Sequence, residues 1–254
     1  MSLFLSCIST IMSFDHLPAE LVVMIISQDQ LSEVIRRVCT LWHDLVRRDV
    51  YDAKSLCADA AKRGYLNILK WAREQGYPWD KDVCTNAVRY NHIDVLIWAA
   101  TNGCPWQKHI GIIAAYHGNL PMLKWIIENG GYKHNMICSG AAEGGHLGVL
   151  KWARANGCPW NEETCTMAAK SGSIEILKWA KANGCPWNVY TCAMAAEKGN
   201  IVMLEWARQQ GAPWGMVVAT YAVKGNQLDA LRWLRRHGCP WDESAAAWAT
   251  ERGL

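Results

Sequence analysis

Seven tryptophans, Trp71, Trp98, Trp125, Trp152, Trp179, Trp206 and Trp233, lie 27 residues apart without a slip. A fixed period between about 20 and 50 residues is the mark of a stack of supersecondary units. One unit of 27 residues cannot bury its own apolar face, so each must be covered by its neighbours. The stack is therefore a quasi-linear array, an architecture that presents surfaces for binding far more often than it builds a reaction centre. The same repetition explains why fifteen tryptophans accompany only two phenylalanines.

The unit from Asn161 to Trp187 reads as two short helices. The first is predicted over about 162–170, with Cys165, Ala168 and Ala169 on one face and Gly172 as a left-handed terminator. The second is predicted over about 173–182, capped by Ser173, with Ile174, Leu177 and Trp179-Ala180 on its apolar stripe. Asn183-Gly184 stops it and Pro186 prevents its resumption. Trp followed by Ala is a trade of volume, a large ring beside a methyl, and places the helix tryptophans in the packing layer. The competing reading is an aromatic cage for a ligand. A second series, Trp79, Trp106, Trp160, Trp187, Trp214 and Trp241, follows proline in the inter-unit loop. Each is expected to pack against the same loop of the next unit, with part of the ring available to a partner.

Seven units have both helices, and an eighth ends after its first, at 245–254. There Glu243, Glu251 and Arg252 supply the polar end that a terminal repeat needs, and Trp248 is expected to stay partly bare. One unit is irregular. Asn129-Gly130-Gly131-Tyr132-Lys133-His134 replaces the Gly-Cys-Pro-Trp loop, and Gly144-Gly145 follows. Drift in a redundant array, a local bend and a binding notch all fit this pattern.

Eleven cysteines raise the question of a disulfide framework. Their spacing answers against one along the ladder. Cys104, Cys158, Cys185 and Cys239 recur in the loop motif, and Cys57, Cys84, Cys138, Cys165 and Cys192 recur at one helical position. Equivalent atoms of adjacent units should be about 8–10 Å apart, too far for a bond that needs Cα atoms within roughly 4.4–6.8 Å. Buried free thiols are expected, as in a reducing compartment. Residues 1–13 form a tail without the basic start of a secretory signal, and Met12 is an alternative start to Met1. No uninterrupted apolar run approaches the roughly 20 residues of a membrane span. A cytoplasmic or nuclear, non-secreted protein is expected, of a host cell if the chain is viral.

Ala168-Ala169-Lys170-Ser171-Gly172, then Glu175-Ile176-Leu177-Lys178, then Asn183-Gly184-Cys185 follow one another as in the ankyrin repeat. Ala195-Ala196-Glu197-Lys198-Gly199-Asn200 repeats the first part. The chain over residues 51–254 thus resembles an ankyrin-like solenoid, and most closely the Trp-rich arrays of large DNA viruses. Ankyrin units have about 33 residues; the shortfall falls in the finger loop, where Pro-Trp-Asn-Glu-Glu stands. The fold implied is all-α, a helix-turn-helix solenoid of seven to eight repeats with short loop or β-turn fingers. Residues 14–50 lack the motif. Leu17-Pro18, Glu20-Leu21, Ile25-Ile26, Leu31, Val38-Cys39, Trp42 and Leu45 resemble an F-box, a three-helix module. The resemblance implies docking to the Skp-type adaptor of a cullin–RING ubiquitin ligase, with Leu17, Pro18, Leu21, Ile25, Val38 and Trp42 as contacts. The alternative is that this segment only caps the first repeat.

Nothing in the chain spells out catalysis. There is no phosphate-binding glycine loop, no Cys-x-x-Cys and no metal-ligand spacing, and His109, His117, His134 and His146 occupy different repeat positions. Neither enzyme activity nor a cofactor, metal or small-molecule substrate is expected. A monomeric interaction protein is, with any catalysis supplied by recruited subunits. Ten of the fourteen residues one before or two after each helix tryptophan are Lys or Arg, among them Lys70, Arg73, Lys151 and Arg154. This basic ridge reads as a solvated face or as a site for an acidic partner. Nucleic acid is disfavoured because aromatic residues do not interleave with the ridge. The target-binding positions are expected where first helices vary between units: Lys62, Arg89, Tyr116, Glu143, Lys170, Glu197 and Lys224. The target itself is unspecified.

Overall fold

A computed structural model of the protein describes residues 53–252, Gln75 excepted. Those residues form fifteen helices and no strand. They are α1 (Ala53–Arg63), α2 (Leu66–Glu74), α3 (Lys81–Arg89), α4 (Ile93–Thr101), α5 (Gly111–Tyr116), α6 (Leu120–Glu128), α7 (Asn135–Glu143) and α8 (Leu147–Ala155). After these come α9 (Glu162–Ser171), α10 (Ile174–Ala182), α11 (Val189–Glu197), α12 (Ile201–Gln209), α13 (Met216–Lys224), α14 (Leu228–Arg236) and α15 (Glu243–Glu251). Seven helix pairs and an unpaired last helix follow the 27-residue period. The loops carry turns and no β-finger.

Local chemistry ends each helix at the same place in every unit. The residue closing the first helix's turn is left-handed, glycine at Gly64, Gly118, Gly145, Gly172 and Gly199, asparagine at Asn91 (φ 68°) and Asn226 (φ 56°). Asparagine is the side chain that tolerates this region best. Four of the second helices end on an Asn-Gly pair for a further reason. The amides of Asn102, Asn129, Asn156 and Asn183 donate to the carbonyls of Trp98, Trp125, Trp152 and Trp179 at 2.8–2.9 Å. The next backbone N–H folds back, as in Cys104 to Ala99 and Cys185 to Ala180, so otherwise unpaired carbonyls are satisfied.

The odd-numbered helices stack directly on one another, and each even-numbered helix packs on the odd helix before it. Small side chains permit the close row: Ala60-Ala61, Ala114-Ala115, Ala141-Ala142, Ala168-Ala169 and Ala195-Ala196 are all buried. Two glycines take this further. A Cβ on Gly144 would stand 2.0 Å from the Tyr116 carbonyl oxygen, and one on Gly225 would stand 1.9 Å from that of Glu197. At these steps, α5–α7 and α11–α13, the backbones approach more closely than any side chain allows.

The deepest layer of the even helices is a leucine ladder. Leu69, Leu96, Leu123, Leu150, Leu177, Leu204 and Leu231 are fully buried, two residues before each tryptophan. Each contributes about 1.5–3 kcal/mol by leaving water. The helix tryptophans lie outside this layer, partly buried and packed against it. They seal the core where the sequence had placed them inside it.

All nine cysteines of the described residues are free and buried. The loop cysteine has a specific task. Its thiol donates to the carbonyl of its own unit's first-helix cap residue: Cys104 to Asp80 at 3.3 Å, Cys185 to Asn161 at 3.4 Å and Cys239 to Gly215 at 3.6 Å. The loop is thereby tied to the start of the repeat. The thiols that meet do so within a unit, Cys84 with Cys104 and Cys165 with Cys185, not along the ladder.

The last helix is anchored by its cap. The Asp242 carboxylate accepts from Ala245 N at 2.7 Å, from Thr220 Oγ1 of α13 at 2.7 Å and from Ser244 Oγ at 2.8 Å. The Ala245 N–H, followed by the two hydroxyls, holds its pKa below the ordinary carboxylate value. A group whose folded pKa is depressed stabilises the fold above its unfolded pKa, about 4, and loses that contribution as pH falls through the folded value. Asp242→Ala is expected to cost about 1 kcal/mol at pH 7. Below pH 3 the difference from the parent chain should shrink, as read by denaturant unfolding at both pH values.

Candidate protein-interaction face

Each odd helix buries one face and shows the other to solvent. The fourth, fifth, eighth and ninth residues of a unit turn inward. The third, seventh and tenth lie opposite, at i, i+4 and i+7 on one stripe. The seven predicted target-binding residues are the tenth residues of successive units, so stacking brings them into one row along the array. Lys62, Arg89, Tyr116, Lys170 and Lys224 are exposed, and Glu143 and Glu197 are half-buried.

The row is ordered by its own charges. Lys170 Nζ lies 2.8 Å from Glu143 Oε1 of the preceding unit, and Lys224 Nζ lies 3.3 Å from Glu197 Oε1. The Glu143 partner raises the Lys170 pKa above its ordinary value. Exposed pairs of this kind contribute under about 1 kcal/mol, so they fix orientation more than stability. Lys62 sits 5.5 Å from the Tyr90 ring, and Tyr116 meets His117 edge-on at 5.3 Å.

Beside this row runs an apolar one that sequence reasoning missed. Ile113, Met167, Met194, Tyr221 and Trp248 are the seventh residues of their units, spaced by multiples of 27, with Gly140 in the gap. The signal was present as a second periodicity, masked by the stronger tryptophan one. The first two units carry Asp59 and Asn86 at this place, so the face changes from polar to apolar at the third unit. Met136 (42 % exposed) and Tyr190 (46 %) add to it from the third position. Tyr190 and Tyr221 meet edge-on at 6.2 Å. Apolar and aromatic side chains beside a charged margin are the make-up of a protein-binding surface.

The basic ridge has a different role from either one expected of it. Where the residue two after a helix tryptophan is Lys or Arg, it lies over the loop indole that ends its own unit. The distances to the ring are 4.2 Å for Arg73 on Trp79, 4.1 Å for Arg154 on Trp160, 4.2 Å for Lys181 on Trp187 and 4.0 Å for Arg208 on Trp214. The guanidinium also donates to the loop backbone, from Arg154 to Cys158 O at 2.6 Å and from Arg208 to Ala212 O at 2.5 Å. These cations clamp the loop. Aromatic residues do interleave with them, contrary to expectation, but those rings are engaged and are not open platforms for bases.

The loop tryptophan was expected against the same loop of the next unit. It packs instead against the helix tryptophan of that unit. Trp79–Trp98, Trp106–Trp125, Trp160–Trp179, Trp187–Trp206 and Trp214–Trp233 have ring centroids 5.8–6.4 Å apart. Four of the five are edge-to-face, the arrangement that adds about 0.5–1.5 kcal/mol beyond burial.

Among the described residues no three His, Cys, Asp or Glu side chains come together as a metal site. His109, His117 and His134 are exposed and His146 half-buried, each at its own repeat position. Burial pushes the Cys57, Cys192 and Cys239 thiols up to about 11 and Cys138 to about 12. That is the reverse of the lowered pKa that an attacking thiolate needs. No described helix is long and apolar enough to cross a membrane. The adaptor-contact residues Leu17, Pro18, Leu21, Ile25, Val38 and Trp42 lie outside the described residues.

The array is similar to the ankyrin repeat domain of human ASB11, known from its crystal structure, with a TM-score of 0.50 and 16 % identity over 62 % of this chain and 84 % of that one. At this identity the likeness is one of fold. The two-helix stack is thus an ankyrin-like repeat solenoid. No protein-family model matches the sequence, and no curated protein matches it.

Proposed function

We propose that the protein is an interaction scaffold that holds a protein target on the exposed stripe of its odd helices. The observation that carries this reading is the juxtaposition of two periodic rows. One is apolar, Ile113, Met167, Met194, Tyr221 and Trp248; the other is the charged and aromatic row from Lys62 to Lys224. The charged row faces solvent, and the apolar row borders it at the edge of the core, with Met194 buried and Ile113, Met167, Tyr221 and Trp248 half-buried. Within that reading, the repeats form one unit over 51–254 and residues 14–50 a second, F-box-like one after the tail 1–13. The second unit links the bound target to the Skp-type adaptor of a cullin–RING ubiquitin ligase through Leu17, Pro18, Leu21, Ile25, Val38 and Trp42. The sequence order Leu-Pro-x-Glu-Leu followed by Val-Cys-x-x-Trp supports that role.

Affinity purification of the intact chain with quantitative mass spectrometry tests both halves. The Skp-type adaptor should be recovered with the intact chain and lost both from a chain beginning after Tyr51 and from Leu17→Ala/Pro18→Ala. A target should be recovered with those two chains but lost from Tyr116→Ala/Lys170→Ala/Tyr190→Ala. No adaptor from the intact chain would reject the ligase link and leave a plain scaffold capped by residues 14–50. Equal recovery of the target by the triple variant would reject the odd-helix face.

A further inference from the structure

We infer that the irregular third repeat leaves Trp152 as the floor of a second docking site, one that takes an aromatic side chain flanked by acidic residues. The site lies on the loop and even-helix side of the array and goes beyond the odd-helix reading. The repeat supplies the comparison. At five junctions the helix tryptophan is covered by the indole of the preceding loop. At the junction before α8 that loop position is Lys133, the motif cysteine is Gly131, and the clamping cation is replaced by Ile127. Trp152 makes no ring contact with any described aromatic residue.

The helix carrying Trp152 also bears small side chains beside it. Gly148, four residues before it, and Ala155, three after, are its neighbours along the helix surface. Gly148 is exposed, and a Cβ there would meet nothing within 4 Å. Packing therefore does not demand glycine at 148. Other units carry Asn67, Asp94, Glu175, Val202 or Asp229 at this place. The loop departure removes the indole that covers this position at the other junctions, over a Trp152 that is half-buried against the core.

The surroundings specify the occupant. What covers this position elsewhere in the molecule is an indole, so an aromatic ring fits the floor. Lys124, Lys133 and Lys151 are exposed nearby, against Glu128. Lys133 occupies the loop position that the covering indole holds at the other junctions. Tyr132, 59 % exposed with Lys108 Nζ 5.6 Å from its ring, stands at the rim. A partner offering Trp between carboxylates satisfies both the ring and the charge.

The test uses the full chain labelled with 5-fluorotryptophan and followed by fluorine NMR, the Trp152 signal being the one missing from Trp152→Phe. Titration with the peptide Ac-Glu-Trp-Glu-NH2 should shift that signal saturably. Ac-Glu-Ala-Glu-NH2 should leave it in place, and Ac-Lys-Trp-Lys-NH2 should bind about tenfold more weakly or worse, a difference of about 1.4 kcal/mol. The variant Gly131→Cys/Tyr132→Pro/Lys133→Trp restores the loop. It should abolish the shift and raise the melting temperature. If Trp152→Phe does not fold, the restored loop identifies the signal by its altered position. No saturable shift, an equal shift in the restored-loop chain, or equal movement of the other tryptophan signals would overturn the site.

Discussion

Leu177→Ala is expected to destabilise the array by about 3–5 kcal/mol, more than Trp179→Ala two residues away. The leucine is fully buried between α9 and α10, where a lost side chain leaves a cavity that close-packed neighbours cannot fill. The tryptophan is larger but only partly buried, and its outer edge is covered by Trp160. Its removal takes away that ring contact and part of the seal, about 2 kcal/mol by comparison. Denaturant unfolding of both variants measures the order. A larger loss for Trp179→Ala would show that the indole ladder, and not the leucine ladder, is the deepest layer. Because each repeat touches only its neighbours, Leu177→Ala should also weaken the coupling between the units on either side, seen as a broader transition.

Gly225→Ala is expected to cost about 3 kcal/mol, at the upper end for an overpacked site. The backbone there, φ −77° and ψ −2°, is open to alanine, so the penalty is steric. The new methyl would stand 1.9 Å from the Glu197 carbonyl oxygen, and α13 must move off α11 to admit it. Gly144→Ala should behave alike against Tyr116. Gly148→Ala is the contrast, since its Cβ points into open space and alanine is a better helix former by up to about 1 kcal/mol. It should be neutral or stabilising. The equivalents of Gly144 and Gly225 in other units are Arg63, Tyr90, His117, Ser171, Lys198 and Arg252, so the close approach at these two glycines is not a property of every repeat.

The repeat was legible in the sequence because its punctuation is local. Ser173 caps α10 by accepting from Ile176 N at 3.4 Å, and Gly172 is left-handed at φ 79°. Both follow from chemistry within four residues. What the loop tryptophan touches is a different kind of fact. Trp160 meets Trp179, nineteen residues on, a contact set by how one unit seats on the next. The clamping cations lay between these cases. Arg73 and Trp79, Arg154 and Trp160, and Arg208 and Trp214 share a six-residue spacing. Read along the chain, the bases formed a ridge. Only the fold of the loop back onto its helix shows them to be half of a cation–π pair. The target row was legible as a set of variable positions, and its apolar companion was not, because Met, Tyr, Ile and Trp at helical spacing read equally well as core.

The central claim is that the odd helices, not the even ones, carry the target. Lysine acetylation footprinting of the intact chain with and without its captured target tests this most directly. Lys62, Lys170 and Lys224 on the odd helices should be protected in the complex, while Lys178, exposed on the even helix α10, should be labelled equally in both. Lys124, Lys133 and Lys151 report separately on the site around Trp152. Protection of Lys178 with Lys62, Lys170 and Lys224 still fully labelled would contradict the account.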